Sequence, residues 1–274
     1  MKPTVIVVDN NSFSESIKWI EGMNELNSPE KRVIVKVGIY NPETGICTTS
    51  KTLQSIINAF DRSSEILITE SDSGAGPGLE RLQIWKECFN DRVVPYNLSD
   101  DKDTKDVEVA GETVPFPLIF SEPNTFISTH VPRRYEEAGL EDLMNLGFVI
   151  KNLLGMIPDT KKHRFHDQLP IALLDIYEAV GGIDFAVIDA THVYRGYKSK
   201  RMTISPNILI VGTDAFAVEA VGGYMVGFES SEMPVLQEAK KRGLGETNID
   251  RIEIIGDIES QRQRVGLAFD ELVP

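Results

Sequence analysis

Apolar residues in this chain alternate between short β-branched runs and helical stripes. Thr4–Val8 reads as a short buried strand, and Ser12-x-x-Glu15 as a capping box that opens a helix to about Leu26. Val33–Tyr40 reads as a β-branched strand with Lys36 inside it. Thr48-Thr49-Ser50 caps a helix whose apolar residues Leu53, Ile56, Ile57 and Phe60 fall at helical spacing. Glu65–Glu70 predicts a third strand and Leu79–Cys88 a further helix. This βαβαβα order implies parallel strands joined by right-handed crossovers.

Residues 91–123 break the rhythm. Val107–Ala110 and Thr113–Phe116 flank Gly111-Glu112 in the pattern of a β-hairpin, and Pro115 and Pro117 place it at a sheet edge or outside the main sheet. Asn124–Thr129 resumes as a core strand. A helix over 142–154 and another over Pro170–Val180 follow, the second stopped by Gly181-Gly182. Phe185–Asp189 and Ile208–Gly212 read as strands, Thr213-Asp214 opens a helix to about Met225, Pro234–Lys241 is helical, and Ile252–Gly256 is a final strand. The expectation is one α/β domain over residues 1–274: a mostly parallel open sheet flanked by helices, with a β insertion at 91–123.

One helical stretch carries an anomaly. From Met144 to Ile157 every residue is apolar or glycine except Asn145, Lys151 and Asn152. A lone ammonium in such a segment needs an internal carboxylate or a bound anion, because burying an unpaired charge costs several kcal/mol or forces it neutral. Lys36, between Val35 and Val37, poses the same question: it is buried in a covered sheet or snorkels to water from an edge.

In open parallel sheets ligands bind beyond the carboxyl ends of strands. Asn41, Glu70, Asp72, Ser73, Asp189, Thr191 and Asp214 all follow predicted strands. Ser73-Gly-Ala-Gly-Pro-Gly78 lies between a strand and a helix, where glycines let backbone N–H groups approach an anion. The same segment fits a plain turn, and it matches neither GK[ST] nor GxGxxG. His163 and His166 share a helical face; a metal site there needs further ligands, which Asp167 or Asp189 could supply, but no HExxH occurs. His166 fits better as an anion ligand or proton donor. Asp214 is accounted for by helix capping, although a cap at a strand end can also line a pocket. Cys47 at a helix start could be activated by the helix dipole or be a small buried residue.

Composition narrows the partners. The formal net charge of −14 argues against nucleic acid, which needs a basic surface. No apolar run reaches the roughly 18 residues needed to span a membrane. The N-terminal run turns polar too soon for a signal peptide, so a cytoplasmic location is expected. Two cysteines without CxxC give no support to a protein-ligated iron–sulfur cluster.

Several motifs then fall into one order. Gly147-x-x-x-Lys151-Asn152-x-x-Gly155, His163-Arg164-x-His166, Ile188-Asp189-Ala190 and Gly212-Thr213-Asp214-Ala-Phe-Ala217-Val218-Glu219-Ala220 together resemble the core of the domain-of-unknown-function 362 family. Val35-Lys36-Val37, Cys47-Thr48-Thr49 and Glu253-Ile-Ile-Gly256 extend the resemblance to roughly Val33–Asp257. It implies a prokaryotic, often archaeal, protein without an assigned reaction. Some relatives carry an appended ferredoxin-like cysteine cluster, which this chain lacks. The lysine and histidine that often follow the strand matching Asn124–Thr129 are replaced by Pro132-Arg133-Arg134-Tyr135, with His130 earlier. A glutamate–glycine segment is replaced by Tyr194-Arg195-Gly196-Tyr197-Lys198. These departures add positive charge, which weakens a carboxylate-dependent metal site and favours an anionic ligand.

The favoured expectation is therefore a pocket for a small carboxylate or phosphate. Lys151, His166 and Asp189 would be its catalytic group, with Lys36, Asn152, Arg195, Asp214, Thr48 and Ser73 (and Arg134) binding substrate, and with no metal. The alternatives are a ligand-binding or regulatory module without chemistry, and a structural protein whose apolar Gly222–Phe228 stretch forms a homo-oligomer interface.

Overall fold

The computed structural model describes residues 2–134, 148–195 and 202–270. An eight-stranded sheet forms the centre, built from β1 (Thr4–Asp9), β2 (Arg32–Lys36), β3 (Ile66–Glu70), β4 (Val93–Asn97), β7 (Asn124–His130), β9 (Phe185–Ala190), β12 (Ile208–Gly212) and β13 (Glu253–Ile255). The strand order is β13-β1-β12-β9-β7-β2-β3-β4. β2, β3, β4, β7 and β9 pair in parallel, as do β1 and β13, while β12 runs antiparallel to both of its neighbours. The α/β sheet is therefore mostly parallel, as the sequence predicts. β1 does not join β2; it crosses to the far side of the sheet.

Alternating side chains feed two cores. Val33, Val35, Ile66, Ile68, Ile127, Phe185 and Val187 pack on one face against α1 (Phe13–Ser16) and α3 (Ser50–Ala59). Ile34, Leu67, Phe126, Ala186 and Ile188 pack on the other against α5 (Leu169–Ala179) and α6 (Ala215–Met225). Burial of such near-continuous apolar strands on both faces is the rule for parallel sheets. α7 (Pro234–Arg242) and α8 (Ile258–Asp270) complete the second layer; α8 lies in the tail that sequence patterning left unassigned.

Three local expectations need correction. The Ser12–Leu26 helix is broken into α1, a 3-10 turn at Ile17–Trp19 and α2 (Met23–Leu26), with Gly22 at φ +86° and no side-chain cap from Ser12. Leu79–Cys88 is a short α4 (Gly78–Leu82) continued as a 3-10 helix. β4 belongs to the main sheet as its edge strand, so the insertion is only the hairpin of β5 (Thr104–Val109) and β6 (Glu112–Pro117). Pro95 is tolerable in β4 because an edge strand leaves one side unpaired. The hairpin turns at Ala110-Gly111, both at positive φ, the signature of a two-residue turn. The expected 142–154 helix falls partly outside the described residues, and within them Lys151–Met156 is 3-10 helix. No helix among the described residues is long and apolar enough to cross a membrane.

Candidate functional site

From β2 the chain moves to β3 and β4 on one side, and from β7 to β9 on the other. The connections after β2 and β7 therefore part, and the crevice between these strands is the topological switch point, where open α/β sheets place ligands. Lys36 and Ser128 are the last paired residues of the β2–β7 ladder. Beyond them two side chains take over the hydrogen bonding. Thr48 Oγ1 accepts from Gly38 N (3.1 Å) and donates to Thr129 O (3.2 Å). Asn152 Nδ2 is shared between Lys36 O (2.9 Å), Ser128 Oγ (3.2 Å) and Thr129 O (3.2 Å). Both residues staple the floor of the crevice, and their donors are spent on it.

Lys36 is buried, at 1% exposure. Its ammonium donates to Val37 O (2.8 Å), Asn152 Oδ1 (3.0 Å) and Glu70 Oε2 (3.1 Å), which uses all three donors. Glu70 also meets Arg81 at 3.4 Å, and Arg81 donates to the Ile39, Tyr40 and Ser71 carbonyls. Desolvation lowers the Lys36 pKa, and Glu70 opposes it. This buried triad ties the ends of β2 and β3 to α4. Gly155 packs directly on it: a Cβ there would lie 2.8 Å from Lys36 Nζ and 3.1 Å from Glu70 Oε1. The predicted substrate lysine is thus a structural tether.

Lys151 sits in a different setting. Desolvation and the nearby Arg133 guanidinium push its pKa down to about 7, while Glu219 pulls the other way. Glu219 is fully buried on α6, accepts from Ile150 N (3.1 Å), and is pushed up to about 8 by desolvation. Lys151 is also felt by His166, whose pKa burial and Lys151 both lower. His130 is pushed down to about 3 by desolvation, Lys36, Lys151 and Arg133. On the flank, Lys162 donates to the Asp72 and Asp159 carbonyls, and burial drops its pKa to about 8. Arg133, Glu219 and two imidazoles thus act on Lys151 at the switch point. Of these, Lys151 and His166 were read from the sequence as site residues. His130 and Arg133 were noted there only as departures from a family pattern, and Glu219 only as part of a motif. Its signal was nevertheless that of Lys151, a charge in an apolar helix.

The remaining predicted residues lie elsewhere. Asp189 is buried on the opposite face of the sheet, on the α3 side. It accepts from Thr49 N (2.7 Å), Thr49 Oγ1 (2.8 Å) and Thr191 N (3.1 Å), so it anchors the start of α3 and does not orient His166. Asp189 and burial push the Cys47 thiol up to about 11, the reverse of activation. Asp214 follows β12, the reversed strand, and is therefore at the other edge of the sheet. It caps α6 through Phe216 N and Ala217 N and holds Glu246 N (2.8 Å). Ser73 closes a turn on Gly76, and Asp72 Oδ1 accepts from Gly78 N (2.8 Å). A carboxylate of the chain already occupies that helix start, so the glycine-rich loop is a turn. Arg134 and Arg195 pair through their backbones in a small sheet with β8 (Arg133–Arg134), β10 (Val193–Arg195) and β11 (Met202–Ile204), but their side chains lie outside what is described. His163 is exposed, and no group of three metal-ligating side chains occurs among the described residues.

The fold and crevice define a mixed α/β protein with a cationic switch point. The chain belongs to the family described as Domain of unknown function (DUF362), whose model matches residues 33–223. That span runs from β2 into α6 and contains Lys36, His130, Arg133, Lys151, His166 and Glu219. No curated protein matches the chain.

Proposed function

We propose that the switch-point crevice binds a small anionic molecule, a carboxylate or a phosphate, and that His166 serves proton transfer on it. The observation that carries this reading is the convergence of Lys151 and Arg133, two like charges held together in a desolvated crevice of an acidic chain. Positive groups gathered at a water-poor site attract an anion, and the attraction is stronger in low dielectric than in water. Perturbed ionisable groups in a switch-point crevice are the usual mark of a functional site. His166 is partly exposed and held below its ordinary pKa by burial, Lys151 and His163, so it is a neutral base at pH 7.

The test is thermal stabilisation by sulfate, phosphate, pyruvate and propionate. At least one of them raises the midpoint of the wild-type chain, as a ligand of the native state must. Lys151→Met loses that rise. An equal rise in Lys151→Met, or none in the wild type, rejects the reading. His166→Ala retains binding; any turnover found for the bound class is lost with it.

A further inference from the structure

His130 is the last residue of β7, directly at the switch point, and its ring is held in one orientation. Gly38 makes this placement accessible: a Cβ at that position would collide with Nδ1 and Cγ of the ring and lie 2.8 Å from the His130 Cα. Nδ1 accepts a hydrogen bond from Val131 N at 2.8 Å. A ring nitrogen that accepts from an amide carries no proton, so in the neutral ring the proton is on Nε2. Nε2 has no partner among the described residues, and the residue is partly exposed. Among the described residues the charged groups that face the ring are Lys36, Lys151 and Arg133, and they oppose a second proton. The ring is therefore a fixed, neutral, single-donor group beside three cations.

From this geometry we infer that His130 donates its Nε2–H to an uncharged oxygen of the ligand, so that the site selects small acids bearing a carbonyl or hydroxyl oxygen next to the anionic group. The cations read the charge, and the imidazole reads the neighbouring oxygen. A neutral imidazole suits a carbonyl in particular, because it polarises the C=O without handing over a full charge. A site built to donate to an oxygen discriminates against the analogue without it, since the bound analogue displaces water from the donor and gives it no partner. The inference rests on the anion-binding reading and deepens it.

Matched ligands separate the two. Pyruvate against propionate, and 2-hydroxypropyl phosphate against propyl phosphate, differ in one oxygen and share the charge. In calorimetry the wild type should bind the oxygen-bearing member of at least one pair tenfold or more tightly. His130→Ala should bind both members of that pair alike, and His130→Gln, which keeps an N–H donor, should recover part of the preference. Equal affinity within both pairs in the wild type, or a preference unchanged in His130→Ala, overturns this inference while the anion reading stands. Failure of all four to bind overturns both. Nitrogen-15 NMR of the wild-type chain gives an arm that needs no variant. The His130 ring should show the Nε2–H tautomer between pH 5 and 8, and an Nδ1–H tautomer or a doubly protonated ring would overturn the inference.

Discussion

Two lysines enter the same crevice from opposite sides and meet opposite surroundings. Lys36 rises from β2 into a nest of three acceptors, one of them the Glu70 carboxylate. Lys151 begins a 3-10 helix beside Arg133, two imidazoles and a carboxyl group whose pKa burial raises. Both are charges in apolar sequence. The first is committed to the fold by three acceptors, and the second stands beside another cation. The difference shows that a charge in an apolar run marks burial, and only its surroundings mark function.

The sharpest way to break this comparison is to remove each charge. Lys36→Met should destabilise the chain by about 3 kcal/mol in urea unfolding, because it takes one of two cations from the buried Glu70 carboxylate and removes the ammonium from two further acceptors. A loss under about 1 kcal/mol would mean that Lys36 is not the tether described. Gly38→Ala should cost about 2 kcal/mol by overpacking against His130 and its backbone, and should weaken ligand discrimination as well as stability. Asp214→Ala, at the far edge of the sheet, should cost about 1–2 kcal/mol as a lost helix cap and leave anion affinity unchanged. A change in affinity there would place the site wrongly.

The smallest effect has the most informative sign. The folded-state pKa of Lys151 lies near 7, below its unfolded value of 10.5. Below pH 7 both states are protonated and the folded state bears the full cost of the buried charge. As pH rises from 7 towards 10.5 the folded state sheds its proton first, and the cost fades. Lys151→Met should therefore be more stable than the wild type at pH 6, by about 1 kcal/mol after allowance for partial exposure, with a gain that shrinks above pH 7. A binding residue commonly has this signature of stability gained as function is lost. Destabilisation by Lys151→Met at pH 6 would make the two lysines alike and remove the distinction.

Much of the sheet was legible because β-branched runs such as Val33–Val37 and Ile66–Ile68 signal buried strands through composition alone. The strand order was not. Nothing local distinguishes β12, which runs backwards, from its parallel neighbours, so Asp214 was assigned to the wrong edge. Asp189 was assigned to the right edge but the wrong face, because the expected partner, His166, lies in the layer that packs on the opposite side. Lys151 and His166 were legible as charge and imidazole out of place in their local pattern. His130 was not, since its role comes from Gly38, 92 positions away in sequence and adjacent only once β2 and β7 pair. Contacts that depend on strand order and on parting loops carry no short-range signal.

The central claim is that Lys151, in its protonated form, holds an anion at the switch point. Calorimetric titration with sulfate, whose charge is constant over the range, at pH 6 and pH 9 tests it most directly. Sulfate should bind the wild-type chain at pH 6, lose at least tenfold in affinity by pH 9 as Lys151 deprotonates, and show no measurable binding to Lys151→Met at pH 6. Affinity independent of pH, or retained in Lys151→Met, would contradict the account.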